Sequence, residues 1–562
     1  MNRITTSGKL RKGLSLVLAG AFMASMLAGC GSSGTSGTAA SASSASGAAT
    51  SAAAATQAAP TADSSRKTAQ SSGERYKKIT IGIPSDPADL GPTGYGDNSA
   101  QYTMPNYFEA LFDFRDNDYV PILAKGYTVK DDTHWDVQLY DYIKDSDGNP
   151  ITADDVVFSY KTLIDSGKAA RWDTFGDIKA IDDYTVEFTW TKKIDSLGEL
   201  EWPLCRCYIV SQKAYEAGNM ASSPVGTGPY KVTEYDPGAK IVMEANDNYW
   251  QKDDLRDAQH LANVQTIEYD IISETSQHVI ALSTNQIQYS ESVPAENLKD
   301  FQEGGQYAEG HAVFATQGSA VEMLLPNCMD GKATSDINLR YAIFYALDNT
   351  AIATAVGTYS PSKAFGTPFF SDYDTAWESQ NNNYMATYDL DKAKDYLSKS
   401  SYKGQELVIL CGSDEAAKTA CTMIQTMLLQ IGINVKINAE DGNLVDTDMR
   451  NSDNWDLLYK DAGGGSQVGE WNRPMNYDEF GTGYNMAMIK DDTLQKDLKT
   501  ASTIDGHTKE NMAALHQYIL DNAYYYDVCT PQMTGVYSTV FATLVYREHE
   551  FLRPGSCDYY LD

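Results

Sequence analysis

The chain has 562 residues, too many for one hydrophobic core, and its 42% hydrophobic and 11% aromatic content can fill two or three. A formal charge of −32, from 76 acidic against 44 basic residues, argues against nucleic acid, which needs a basic face, and against docking on anionic lipid. Acidity of this kind suits the solubility of a secreted or surface protein.

Residues 1–29 read as a lipoprotein signal peptide. Arg3, Lys9, Arg11 and Lys12 precede the run "GLSLVLAGAFMASMLAG", which is too short and too rich in small residues to span a membrane. The run ends in Leu27, Ala28, Gly29 and Cys30, which resembles the bacterial lipobox, where the cysteine is diacylated and becomes the first residue. Cys30 is therefore the expected lipidation site, and cleavage there leaves a charge of −36. Residues 30–74 follow as a tether of mostly Ala, Ser, Gly and Thr, expected to be disordered because it has almost no apolar surface to bury. Such a tether would span on the order of 35 Å between a membrane and a folded body.

From Lys77 the pattern turns globular. Ile79, Ile81 and Ile83 alternate as a strand, and prolines then break the chain into a loop. In "DGNPITADDVVFSYKTLID", Thr152 and Asp155 stand in capping-box positions ahead of a helix whose Val156, Tyr160 and Leu163 share a face. "PVGTGPYKV" at 224–232 looks at first like a phosphate loop. Pro229 removes a donor, however, the third glycine is replaced by Lys231, and the following "YKVTEY" alternates as a strand, so a tight turn is expected. In "DINLRYAIFYALD", Leu339, Ala342, Ile343, Ala346 and Leu347 have the spacing of an amphipathic helix. "ELVILC", a helical stripe through Ala420, Met423, Ile424, Met427, Leu428 and Ile431, a stop at Gly432, and "INVKIN" together predict a βαβ unit.

Seven cysteines remain after Cys30, at 205, 207, 328, 411, 421, 529 and 557, with no C-x-x-C pair, and buried free thiols are expected for most. The seven histidines are scattered, without H-E-x-x-H or a cluster with cysteine, so neither a metal site nor a cofactor is expected. No G-x-S-x-G accompanies them, and no S-x-x-K stands with the further motifs that would complete a nucleophile-and-base set, so the chain does not read as an enzyme.

Seven segments in order carry a resemblance: "PILAKGY" (Pro121 to Tyr127), "WDVQL", "DGNPITADDVVFSY", "PVGTGPYKV", "NDNYW", "LRYAIFYALD" and "YDLDKAKDYL". Over most of residues 77–550 the chain resembles the extracytoplasmic solute-binding proteins of ABC importers, in the branch of dipeptide- and oligopeptide-binding proteins (family 5). That resemblance implies an α/β, two-lobed periplasmic-binding-protein-like fold with an extra inserted subdomain in the N-terminal lobe. The implied boundaries are 75–312 for the first lobe, with the insertion at about 100–210, then 313–530 for the second lobe and 531–562 returning to the first. The implied partners are a peptide or other small-molecule ligand and ABC permease subunits, with the chain a monomer that meets the membrane only through its lipid anchor.

Peptide-binding relatives often carry a G-W-x-x-D segment whose tryptophan lines the pocket and whose aspartate holds the ligand's ammonium. Here the stretch is "NWDLLYKDAGGGSQVGEWNRP", and an ungapped count puts those positions on Ala462 and Gly465. Asp461 and Trp471 are the nearest residues of matching chemistry. The resemblance thus points to Ser85, Tyr459, Asp461, Gly463, Gly464, Gly465 and Trp471 as ligand-binding. Peptide leads as the ligand, with an oligosaccharide, or a sensing role on the same scaffold, as alternatives.

Overall fold

A computed structural model describes residues 63–561 apart from 88, 95–97, 116–117, 170–171, 173, 195–197, 253–255, 318–319, 358, 363–387, 452, 464–473, 478–485, 487, 504, 507 and 548–550. The signal peptide, Cys30, Gly464, Gly465 and Trp471 lie outside the described residues.

A twelve-stranded sheet organises the body. Its strands include β1 (Tyr76–Ile83), β2 (Tyr230–Asp236), β3 (Lys240–Ala245), β4 (Val264–Ile271), β5 (Tyr289–Ser290), β6 (His311–Gln317) and β7 (Ala320–Pro326). They continue with β8 (Leu407–Gly412), β9 (Val435–Glu440), β10 (Leu457–Gly463) and β11 (Tyr526–Ser538). The order is β9-β8-β10-β7-β11-β5-β1-β4-β3-β2, while β6 and the short strand Tyr359–Pro361 also pair with β11.

β1 runs parallel to both β4 and β5, and from Ile79 onward every residue is buried, including Thr80 and Gly82 between the isoleucines. Central parallel strands are covered on both faces, so the expected alternation is present in the residue types but not in the exposure.

Three large apolar cores accompany this sheet. One gathers Ile79, Ile81, Tyr230, Ile267 and Phe314, and a second gathers Val321, Leu325, Ile343, Ile409, Ile424, Leu457 and Val528. The third fills a separate four-stranded antiparallel sheet ordered Ala124–Val129, His134–Leu139, Thr185–Trp190, Phe175–Asp182, covered by helix α1 (Ala153–Asp165). The capping box of α1 is formed by Thr152 and Asp155, and Val156, Tyr160 and Leu163 are buried.

β11 links the first two cores. Tyr526 to Cys529 belong to the second and Tyr537 to the first, while residues 531 to 534 between them are half-buried. β7 pairs with the first part of β11 and β6 with the second, so two antiparallel strands cross from one core to the other.

The "GTGP" turn is buried rather than open to an anion. Gly228 N–H donates to the Tyr107 carbonyl at 3.0 Å, and Ser146 N–H donates to the Gly226 carbonyl at 2.9 Å. The βαβ unit is present as β8, the helix Glu415–Gln430 and β9, with β8 and β9 parallel and Gly432 at φ 89° ending the helix. The helix Ile337–Tyr345 departs from the expected amphipathic pattern, because Arg340, Tyr341 and Phe344 are buried along with the apolar stripe. Arg340 is accommodated by donating to the carbonyls of Thr334, Ser335 and Asn522.

Residues 63–74, assigned to the tether on composition, are held by the other end of the chain. Ala69 N–H donates to the Tyr559 carbonyl at 2.8 Å, Leu561 N–H to the Lys67 carbonyl at 3.0 Å, and Asp63 N–H to the Tyr560 hydroxyl at 2.7 Å. The Arg66 guanidinium also sits 3.6 Å from the centre of the Tyr560 ring. The tether reading therefore reaches too far, since composition does not register contacts made with residues some 490 positions away. Replacing Tyr560 by alanine is expected to speed amide exchange over residues 63–66 about tenfold while β1 keeps its protection, read by hydrogen–deuterium exchange. Unchanged exchange would show that the backbone bonds alone hold this end.

Candidate functional site

In open α/β sheets ligands sit outside the carboxyl ends of the parallel strands, where no side chain of the next turn fills the space. Each of the first two cores has such an edge. In the second core, β8 runs parallel to β9 and β10, so their carboxyl ends bring Gly412, Glu440 and Gly463 to one side. Asp414 follows there and caps the helix Glu415–Gln430, accepting from Ala417 N–H at 2.9 Å.

β10 carries Asp461 and Gly463 at this edge, paired with Glu322 and Ala320 of β7. Asp461 is exposed, and the Lys460 ammonium lies 3.5 Å from it and 3.2 Å from Asp446. Glu322 is the direct cross-strand partner of Asp461, so the two carboxyl groups share a sheet face. Burial, reinforced by the charge of Asp461, pushes the Glu322 carboxyl up to about 7. The Tyr359 hydroxyl opposes this by donating to Glu322 Oε1 at 3.0 Å.

Tyr459 lies two residues back on the same strand face but is only 1% exposed, with its hydroxyl 3.7 Å from Cys529 Sγ. It therefore backs the Glu322–Asp461 pair from within the core and does not line a surface, which corrects its assignment as a ligand contact. Strand periodicity put it on the right face, but depth along the strand decided its exposure.

In the first core, Ser85 is exposed just beyond the carboxyl end of β1, and its hydroxyl bonds to that of Ser99. Next to it, Asp86 accepts from the Tyr235 hydroxyl at 2.8 Å and from Gly238 N–H at 2.5 Å. β5 ends on the same side, followed by Glu291, whose two oxygens accept from the hydroxyls of Tyr289 at 2.5 Å and Tyr102 at 2.8 Å. Burial holds His278 below its usual range. Neutral His278 donates from Nε2 to the Ile272 carbonyl and accepts from the Ser290 hydroxyl at Nδ1, both at 2.8 Å, which steadies the turn that presents Glu291.

Two α/β cores, each with a polar carboxyl edge, joined by a pair of crossing strands, define a two-lobed binding-protein body. The family model for bacterial extracellular solute-binding proteins, family 5 (middle), matches residues 118–483, well over half of the chain. The chain belongs to that family. It is 22% identical over 480 residues to the nickel-binding periplasmic protein of Escherichia coli (strain K12), covering 81% of this chain and 86% of that one. It is 23% identical over 501 residues to the oligopeptide-binding protein AppA of Bacillus subtilis (strain 168), covering 80% and 86% respectively. Its fold is similar to that of the ABC transporter substrate binding protein CtaP of Listeria monocytogenes, with a TM-score of 0.69 and 19% identity over 87% of this chain and 100% of that one.

Glu322, Tyr359, Asp414 and Glu291 were not foreseen as site residues. A lone acid inside the apolar strand "AVEMLLP" was a legible signal for Glu322, because an unpaired carboxyl is costly in a core strand. Nothing local marks Tyr359 or Glu291, whose roles depend on pairings across the fold.

Proposed function

We propose that this protein is the membrane-anchored capture component of an ABC importer, which encloses a peptide between its two lobes and presents it to the permease. Family membership carries the reading, together with the two polar carboxyl edges flanking one strand crossing. The ligand is enclosed because a solute touching both edges binds the closed arrangement better than the open one. The lobes run over about 75–312 with 531–562, and 313–530, with an insertion near 100–210. The change of core along β11 between Cys529 and Tyr537 supports the boundary near 530. Ser85, Asp461 and the glycines 463–465 are the contacts, with Trp471 as an aromatic wall. Peptide is favoured because the exposed carboxylate of Asp461 suits an ammonium group.

The test is mass spectrometry of the ligand released from protein purified without denaturation, followed by small-angle scattering with that ligand added back. Peptide and a smaller radius of gyration on rebinding are expected. Release of a sugar or a metal ion, or an unchanged radius at saturation, would overturn the corresponding part.

Anchoring is a separate matter. Two acyl chains at Cys30 contribute roughly 0.8 kcal/mol per buried CH₂, which suffices for stable attachment where one chain gives only marginal binding. Cys30→Ala should release the protein into the medium or leave it unprocessed, as seen by fractionation and intact mass. A variant that remains lipidated and membrane-bound would refute the assignment.

A further inference from the structure

Lys460 and Asp461 are neighbours on β10, and neighbouring side chains of a strand leave it on opposite faces. The Lys460 ammonium nevertheless lies 3.5 Å from Asp461 Oδ1, because its flexible stem bends back over the strand. It sits closer, at 3.2 Å, to Asp446 Oδ1 on the helix Gly442–Asp448. The Lys460 side chain is 23% exposed, against 58% for Asp461 and 53% for Asp446. The ammonium is thus largely covered, while both carboxylates keep a face open to solvent. Burial favours loss of the Lys460 proton, but the carboxylates of Asp461 and Asp446 outweigh it and hold the ammonium above its ordinary range.

We propose, on the reading that Asp461 is a ligand contact, that Lys460 is its internal counter-ion: a ligand ammonium displaces Lys460 from Asp461 and leaves it with Asp446. The contact given up is the longer of the two, and an ammonium has three donors, so Lys460 keeps a charged partner when Asp461 is taken. Displacement therefore creates no unpaired charge, which is the outcome that makes breaking an ion pair costly. The local charge also accommodates a second cation. Asp446, Asp461 and its cross-strand partner Glu322 supply three carboxyl groups around the ammonium of Lys460.

The consequence is a weaker hold on the ligand and an easier release. Lys460 competes for Asp461 while a cationic end is bound, and it takes the carboxylate back as that end leaves. A ligand end without charge cannot enter this exchange, because it offers Asp461 nothing to replace the ammonium beside it.

The test is equilibrium dialysis of the full-length protein against two probes. One is a pool of randomised tri- to hexapeptides made without lysine or arginine and carrying free amino termini, and the other is the same pool acetylated at those termini. Lys460→Met is expected to raise retention of the free-amino pool about threefold, and Asp446→Asn to lower it about twofold, because Lys460 is then left to Asp461 alone. Retention of the acetylated pool should not change in either variant. Lys460→Gln takes the place of the methionine variant if that one does not fold. Unchanged retention of the free-amino pool on replacing Lys460 would overturn the proposal, and so would weaker retention, which would mean that Lys460 itself holds the ligand. Asp461→Asn separates this outcome from a failure of the underlying reading, since it should bring the free-amino pool down to the level of the acetylated one. A preference for free amino termini that survives Asp461→Asn, or that the parent never shows, would overturn the reading of Asp461 as a contact and the counter-ion role of Lys460 with it.

Discussion

Replacing Gly226 by alanine is expected to destabilise the first lobe by about 3 kcal/mol or more, seen as a melting transition lowered by roughly 6 °C. A Cβ at this position would stand 2.0 Å from the Tyr107 carbonyl oxygen and 2.5 Å from Phe108 Cδ1. Backbone cannot move aside as a flexible side chain does, so relief has to come from shifting the 106–108 segment, which is buried at the entrance to the inserted sheet. Gly228 is under a similar constraint, its Cβ falling 2.6 Å from the Asn106 carbonyl oxygen. Gly442 is the control, since a Cβ there meets nothing within 4 Å. Gly442→Ala should leave the transition within about 1 °C of the parent or raise it slightly. If Gly226→Ala were equally silent, the glycines of the "GTGP" turn would need another explanation, and a ligand-binding role would regain its interest.

A second large effect is expected at Glu322, and it depends on pH. At pH values below the ordinary carboxylate range, the folded and unfolded chains both carry the proton. As pH rises from there to about 7, the unfolded chain releases it while the folded chain keeps it, so stability falls across that window and the loss is constant above it. The displacement amounts to on the order of 3 kcal/mol. Glu322→Gln removes the titration and keeps an acceptor for the Tyr359 hydroxyl. The variant should match the parent near pH 4.5 and melt higher at pH 8, by on the order of 5 °C, in parallel thermal scans. A difference between variant and parent that stays constant over this range would mean that Glu322 is already ionised in the folded protein. An ammonium-bearing ligand placed at the Glu322–Asp461 pair would favour the ionised form, so its binding should release protons near neutral pH.

What could be read without coordinates was whatever depends on near neighbours in the chain. Thr152 and Asp155 cap a helix because the two residues satisfy each other's backbone donors across one turn. Ala420, Ile424 and Leu428 line a buried face because helical spacing puts them there, and Gly432 ends the helix because it adopts a left-handed backbone. Pro229 and the replaced third glycine of "PVGTGPYKV" were enough to set phosphate aside. Family-level order among such segments then pointed to two α/β lobes. Tertiary structure decided what depends on strands brought together from afar. Tyr459 and Asp461 are two residues apart on one strand face, yet one is sealed in the core and the other reaches solvent, because exposure follows distance from the sheet's carboxyl edge and not periodicity. Glu322 owes its raised pKa first to burial and then to the charge of Asp461, well over a hundred residues further along, and Asp63 is held by Tyr560 at the opposite end of the chain. Such pairings lie beyond local spacing, since chain separation carries no information about which edges a sheet will bring side by side.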